Sequence, residues 1–240
     1  MRQSGDQVQL SEEQKLFLGV VEQISRPLVT ISRMSELALT SECTTTDQWQ
    51  IVQSIINASL QLVESYSLNL RVRGKLTPLN LEPITVSALL YDTAERLNPF
   101  AKQYGVEIEL EPGPRAQPVI TDKVVLQSAL ESLGQVFVMA QAEVERHAYV
   151  RLGAHRSAHG VVAGYYTASS TLGVDSLRRA HAMQGTARQP FQQLVNGPAA
   201  GVFVAESLLQ TLSVHLHVAK YHNMTGLATT LLPSQQLQLV

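Results

Sequence analysis

The chain has 240 residues, 45% of them hydrophobic and 16% charged, with a formal net charge of −2. At about 150 residues per domain that is enough for two domains with a sizeable core, and the composition excludes a disordered chain. It also excludes a nucleic-acid binder, which would show a lysine- and arginine-rich face. The single cysteine, Cys43, excludes an intramolecular disulfide and a thiolate zinc cluster, and it fits the reducing cytoplasm in which the protein is expected to reside. The opening MRQSGDQVQLSEEQK has no apolar signal region and no stretch reaches 18 apolar residues, so neither a signal peptide nor direct membrane insertion is expected.

After a flexible start over 1–10, Ser11-Glu12-Glu13-Gln14 forms a capping box that opens a helix. Phe17, Val21, Ile24, Leu28, Ile31, Met34 and Ala38 recur at helical spacing behind it, with a kink expected at Pro27. The polar run 41–46 ends this helix, and Asp47 with Gln50 caps a second, on which Trp49, Val52, Ile56, Val63, Tyr66 and Leu70 repeat until Gly74. Residues 11–75 therefore read as an antiparallel helical hairpin. Two helices alone leave apolar surface uncovered, and a second copy is the simplest partner, giving a dimeric four-helix bundle through residues 11–73.

A linker over 76–84 leads to a region of alternating character. Thr85 to Tyr104 reads as a helix closed by Gly105, followed by a strand over Val106–Leu110 and a short strand end at Val119-Ile120. A long helix runs from Asp122 to about Gln141, strands lie over 149–152 and 161–166, and a short helix lies near Asp175 to Met183. Gly197-Pro198 opens a further helix, and strands over 214–218 and 227–232 close the chain. The predicted class is α+β: a helical hairpin, then an α/β sandwich over 85–240 with a mixed sheet covered on one face by helices.

This order resembles the catalytic core of bacterial two-component sensor histidine kinases, a dimerisation and phosphoacceptor hairpin followed by a Bergerat-type ATPase domain. The resemblance rests on Arg26-Pro27-Leu28 within the first helix, Asp122 at the head of the long helix, Pro190-Phe191, Gly197 with Gly201, and Leu231-Leu232-Pro233. It spans about residues 11 to 235, and it is carried by the order and spacing of these features. It implies a receiver domain docked low on the hairpin near Leu18, Glu22, Ser25 and Arg26.

The departures from the family pattern concern chemistry. The phosphoacceptor histidine position holds Glu22, with Gln23 in place of the acidic neighbour, and no histidine precedes His147. The magnesium-binding asparagine position falls at about Val136, and no asparagine occurs between Asn98 and Asn196. The adenine-reading aspartate position holds Ala168-Ser169-Ser170, and Asp175, a conceivable substitute, is followed by Ser176 and Leu177 where glycines belong. In Gly197-Pro198-Ala199-Ala200-Gly201 the middle glycine has become Ala199, and Pro198 removes an amide donor from a phosphate cradle. Glu22 reads as a helix former facing water, although a carboxylate there also imitates the charge of a phosphorylated histidine.

Phosphoryl transfer depends on a positioned metal, donors and a nucleophile. The expected function is therefore that of a histidine-kinase-like signalling protein, a pseudokinase that binds a response-regulator receiver domain or a partner kinase, with no ATP or magnesium as cofactor. The alternative is an unorthodox ATP-binding kinase or ATPase that uses the Gly197–Gly201 loop. Two further groupings are weaker. His155 and His159 are placed in a loop between strands, His215 and His217 on one strand face, and His222 in the turn after it. With no cysteine or aspartate nearby, these histidines read as solvated surface and no metal site is expected. No Gly-x-Ser-x-Gly elbow occurs, and Asp122 has a sufficient role at a helix N-terminus.

Overall fold

A computed structural model describes residues 28–29, 31–36, 46–113, 118–142, 144, 148–168 and 199–233. Residues 28–29 and 31–36 are helical. The rest of the predicted first helix and the hairpin turn lie outside the described residues, as do the predicted helix near Asp175 and the Gly197-Pro198 turn.

Helix α1 spans Thr46–Arg73, 28 residues, or about 42 Å at 1.5 Å per residue. Its predicted stripe divides into two faces. Val52 is buried together with Ile55, Ser65 and Asn69, and Tyr66 packs against the main core, whereas Trp49, Val63 and Leu70 are exposed at 54%, 40% and 38%. The helix was expected to stop at Gly74. The left-handed residue is instead Lys75, at φ +56°. The Lys75 amide donates to Val72 O at 3.0 Å and the Leu76 amide to Arg71 O at 2.8 Å, which is the Schellman pattern with lysine where glycine is usual.

The expected linker contains an element that periodicity did not reveal, strand β1 at Leu81–Ile84. Only Ile84 of the four is buried, and Pro83 lacks an amide, so the segment has no strand signature and serves as an edge. After α2 (Val86–Gln103) and β2 (Val106–Glu111), strand β3 (Val119–Asp122) pairs antiparallel with β1, Leu81 opposite Asp122. Helix α3 (Lys123–Ala142) follows, then β4 (Ala148–Ser157), β5 (Gly160–Thr167), α4 (Ala199–Thr211), β6 (Leu216–Tyr221) and β7 (Met224–Leu231).

The main sheet has the order β2-β4-β5-β7-β6, with β2 parallel to β4 and the other neighbours antiparallel. Helices α2, α3 and α4 bury their apolar sides on it in one core that includes Leu89, Leu97, Leu126, Leu133, Phe203 and Leu208. The mixed α+β layering predicted for 85–240 is thus present. Strand β4 runs five residues past its predicted end at Leu152. Strand β6 begins at Leu216 and not at Val214, because α4 ends in a second Schellman turn: Ser213 is left-handed at φ +59°, and the Val214 amide is held by Leu209 O at 3.1 Å. The β6–β7 hairpin turns on His222 and Asn223, both at positive φ, as a two-residue type I′ turn requires.

Asp122 joins the two-stranded sheet to α3. Its Oδ1 accepts from the amides of Val124 at 3.0 Å and Val125 at 3.1 Å, and its Oδ2 from the Asn80 amide at 2.8 Å. It is therefore an N-cap that also fixes the start of β1. We expect Asp122→Ala to lower unfolding stability by about 2 kcal/mol, the cost of an N-cap plus an orphaned amide. Asp122→Asn should keep most of the cap. Urea denaturation followed by circular dichroism checks both, and equal midpoints for wild type and Asp122→Ala would contradict the assignment.

Candidate functional site

Helix α3 is the central helix, enclosed between the sheet and α1, α2 and α4, and this is why it is apolar almost all round. Gly134 allows the closest approach: a Cβ there would lie 2.4 Å from Leu97 Cδ1 and 2.5 Å from the Tyr165 hydroxyl. One side of the helix is polar. Gln127, Glu131 and Gln135, four residues apart, therefore share a face, and they are 7%, 4% and 4% exposed.

That face meets α1. The Gln135 amide donates to Gln61 Oε1 at 2.7 Å, the Gln61 amide donates to Glu131 Oε2, and the Gln127 amide donates to Glu131 Oε1 at 3.1 Å. Arg96 of α2 approaches the same carboxylate at 3.6 Å. Burial pushes the Glu131 carboxyl above its ordinary value of 4.5, against the opposing influence of Arg96, Gln61 and Gln127. A second joint lies further along α1: Arg73 Nη1 donates to Ser207 Oγ at 3.1 Å, and Ser207 Oγ donates to Asn69 Oδ1 at 3.2 Å. Asn69 is 0% exposed, and its Nδ2 has no partner among the described residues.

Val136, the expected position of a lost metal ligand, is buried in the apolar core at 1% exposure. The polar residue beside it, Gln135, faces α1. One residue along a helix is a rotation of about 100°, so Val136 and Gln135 lie on different sides of α3. A run of polar residues at i, i+4 and i+8 in an apolar helix was the available signal, and it was missed. Gly201 is buried in the first turns of α4, and Ala199 begins that helix. Leu18, Glu22, Ser25, Arg26, Ser169, Asp175 and Gly197 lie outside the described residues. Magnesium, which the fold implies with ATP, does not fit the described part of this face. Its one buried carboxylate, Glu131, is occupied by two side-chain amides and its nearest amide, Gln135, by Gln61.

The histidines are placed differently from expectation. His155 lies within β4, not in a loop, with its ring stacked on Tyr221 at 4.7 Å and 7°. Burial, then the neighbouring His222 and His217, hold its pKa below 6.5. His159 is in the β4–β5 turn as predicted, and His222 in the β6–β7 turn. His215 precedes β6 and does not share a strand face with His217. Its Nδ1 lies 3.1 Å from the buried Glu206. On the outer face of the sheet, Tyr221 donates to Glu111 at 2.8 Å and Arg151 pairs with Glu109 at 2.8 Å. Among the described residues no group of three or more histidine, cysteine, aspartate or glutamate side chains is arranged to hold a metal ion.

A mixed five-stranded sheet backed by helices, with a long helix docked across them, is the layout of a histidine kinase core with its ATPase domain. The solved structure of the histidine kinase AdeS of Acinetobacter baumannii superposes with a TM-score of 0.55 at 10% identity, covering 89% of this chain and 98% of that one. Full-length ShkA in complex with AMPPNP superposes with a TM-score of 0.52 at 17% identity, covering 94% of this chain and 47% of that one. No protein-family model matches the sequence, and no curated protein matches it. At these identities the likeness is one of fold.

The Glu131 network has a pH signature. A carboxyl with a raised folded pKa binds its proton more tightly in the folded state, so its contribution is fully present below 4.5, the unfolded value, and is lost as pH rises through the folded value. Wild type should therefore lose stability from pH 4.5 upward relative to Glu131→Gln, so that the variant matches or exceeds it at pH 8. Urea midpoints of both proteins at pH 4.5 and pH 8 check this. A difference that runs the other way would show that Glu131 is stabilised as the anion.

Proposed function

We propose that this chain is a histidine-kinase-like signalling protein that transfers no phosphate. In this reading it dimerises through residues 11–73 and acts by contact with a response-regulator receiver domain or a partner kinase. The observation that carries the proposal is the use made of the polar face of α3. Where the resemblance implies a metal-binding side chain facing a nucleotide, Val136 is in the core and Gln135 is bonded to Gln61 of α1. Groups that would have to meet a ligand are holding one helix to another.

Dimerisation is supported by a row on α1. Trp49, Ile56, Val63 and Leu70 follow at steps of seven, the spacing of a helix–helix seam, and Trp49, Val63 and Leu70 are exposed beside an equally exposed Leu60. Receiver docking near Leu18, Glu22, Ser25 and Arg26 is proposed from the resemblance alone.

The rival reading, ATP binding, draws on one observation. Gln135 carries the same amide group as the asparagine expected there, longer by one methylene, and Gly201 remains at the head of α4. Incubation of the full chain with radiolabelled ATP and magnesium should leave no acid-labile phosphate. Thermal-shift titration should give no response at millimolar nucleotide, whereas a ligand at 100 times its dissociation constant adds about 2.7 kcal/mol. Labelling of the protein would overturn the proposal. Sedimentation equilibrium should give a dimer for wild type and at least tenfold weaker association for Val63→Glu, which places a charge in the seam. A wild-type protein that remains monomeric at the highest concentration sedimented would remove the dimer.

A further inference from the structure

A cavity of about 650 Å³ opens where α1 passes into the ATPase-like domain. Its walls are the C-terminal turns of α1 and α4 and the segment that leads to β1. Arg73 and Lys75 supply positive charge, Thr77, Ser207 and Thr211 supply hydroxyls, and Val72 and Leu79 supply apolar surface. No carboxylate is among the described lining residues.

We propose that this cavity binds a small organic phosphate, and that the bound anion ties α1 to α4. The volume lies within the range of about 300–1,000 Å³ usual for small-molecule sites. The two helix ends contribute a partial charge of about −0.5 each, and Arg73 and Lys75 bring a full positive charge each to the same lining. Arg73 is directed by its bond to Ser207 Oγ at 3.1 Å. Ser207 is 0% exposed and bonded in turn to the equally buried Asn69, so the guanidinium is anchored from below. A planar guanidinium fork held in this way suits phosphate oxygens, and an ammonium beside it adds a mobile point charge. The apolar residues remain for the body of the ligand.

Lys75 supplies the second argument. It is a lysine in left-handed conformation, φ +56°, at a helix end where glycine or asparagine is the unstrained choice. Complementing the helix dipole requires only a cation in the last turn, and Arg71 and Arg73 already supply it. The strain is accounted for if the side chain is wanted at the mouth of this cavity. The site is at the opposite end of α4 from Gly201, so the inference stands apart from the proposed function and from any nucleotide at that loop.

The test uses Lys75→Asn in the full chain, because asparagine tolerates the left-handed conformation and removes the charge. Calorimetric and thermal-shift titrations at constant ionic strength would use inorganic phosphate, glucose 6-phosphate, and glucose as the neutral control. Wild type is expected to bind glucose 6-phosphate at least tenfold more tightly than inorganic phosphate and to ignore glucose. Lys75→Asn is expected to melt no lower than wild type and to lose at least tenfold in affinity. Absence of binding to wild type at 50 mM of either phosphate, or equal affinities for wild type and Lys75→Asn, would overturn the proposal.

Discussion

The position of α1 depends on how the buried carboxylate of Glu131 is satisfied. A carboxylate at 4% exposure loses most of its hydration, and an unpaired one would be expelled or protonated. Gln61 and Gln127 each donate to it and Arg96 stands within 3.6 Å, so three helices converge on one side chain. Gln61 is the member from α1, and its own oxygen is taken by Gln135. Movement of α1 away from α3 therefore breaks two bonds at once and leaves two buried side chains, Glu131 and Gln135, to find other partners. At about 1–3 kcal/mol for each unsatisfied group, this is a specific constraint on register more than a large gain in stability.

Apolar contact would not have fixed that register. Val52, Ile55 and the partly buried Tyr66, Leu68 and Val72 provide grip along the helix, but packing tolerates a shift of a turn better than a network of directed bonds does. The Asn69–Ser207–Arg73 joint is the second fixed point, roughly two turns beyond Gln61 along the helix axis. Two polar points on one rigid rod determine both its position along the domain and its rotation. The same rotation leaves Trp49, Val63 and Leu70 facing outward.

Much of the layering was legible in the sequence because periodicity reports burial. Helices α2 and α3 and strands β2 and β5 lie close to where their apolar spacing put them. What was lost followed from tertiary contact. Strand β1 buries only Ile84 and contains Pro83, so no alternation marks it. Strand β4 continues through Gly153 because Gly153 to Ser157 pair with Gly160 to Gly164 of β5, and Gly153 breaks the local apolar alternation that would have marked it. His155 was read as loop for the same reason, and its stacking partner is Tyr221. In α1, a single stripe was inferred where a buried face and an exposed seven-residue row run side by side. At the site, Val136 and Gln135 differ by one position, which on a helix separates the core from the contact with α1, and that contact carries no local signal.

The two joints differ in how they can be released. Arg96 is exposed on its side chain at 66%, so water reaches the edge of the Glu131 network, and a proton taken up by that carboxyl would turn an acceptor pair into a donor and an acceptor. Its bonds to Gln61 and Gln127 would then have to rearrange, because both amides point donors at it. The second joint is built on the Asn69 amide and the Ser207 hydroxyl, with Arg73 donating to that hydroxyl. The joint at the Gln61 end is therefore built on a titratable carboxyl, and that at the Arg73 end on an amide and a hydroxyl.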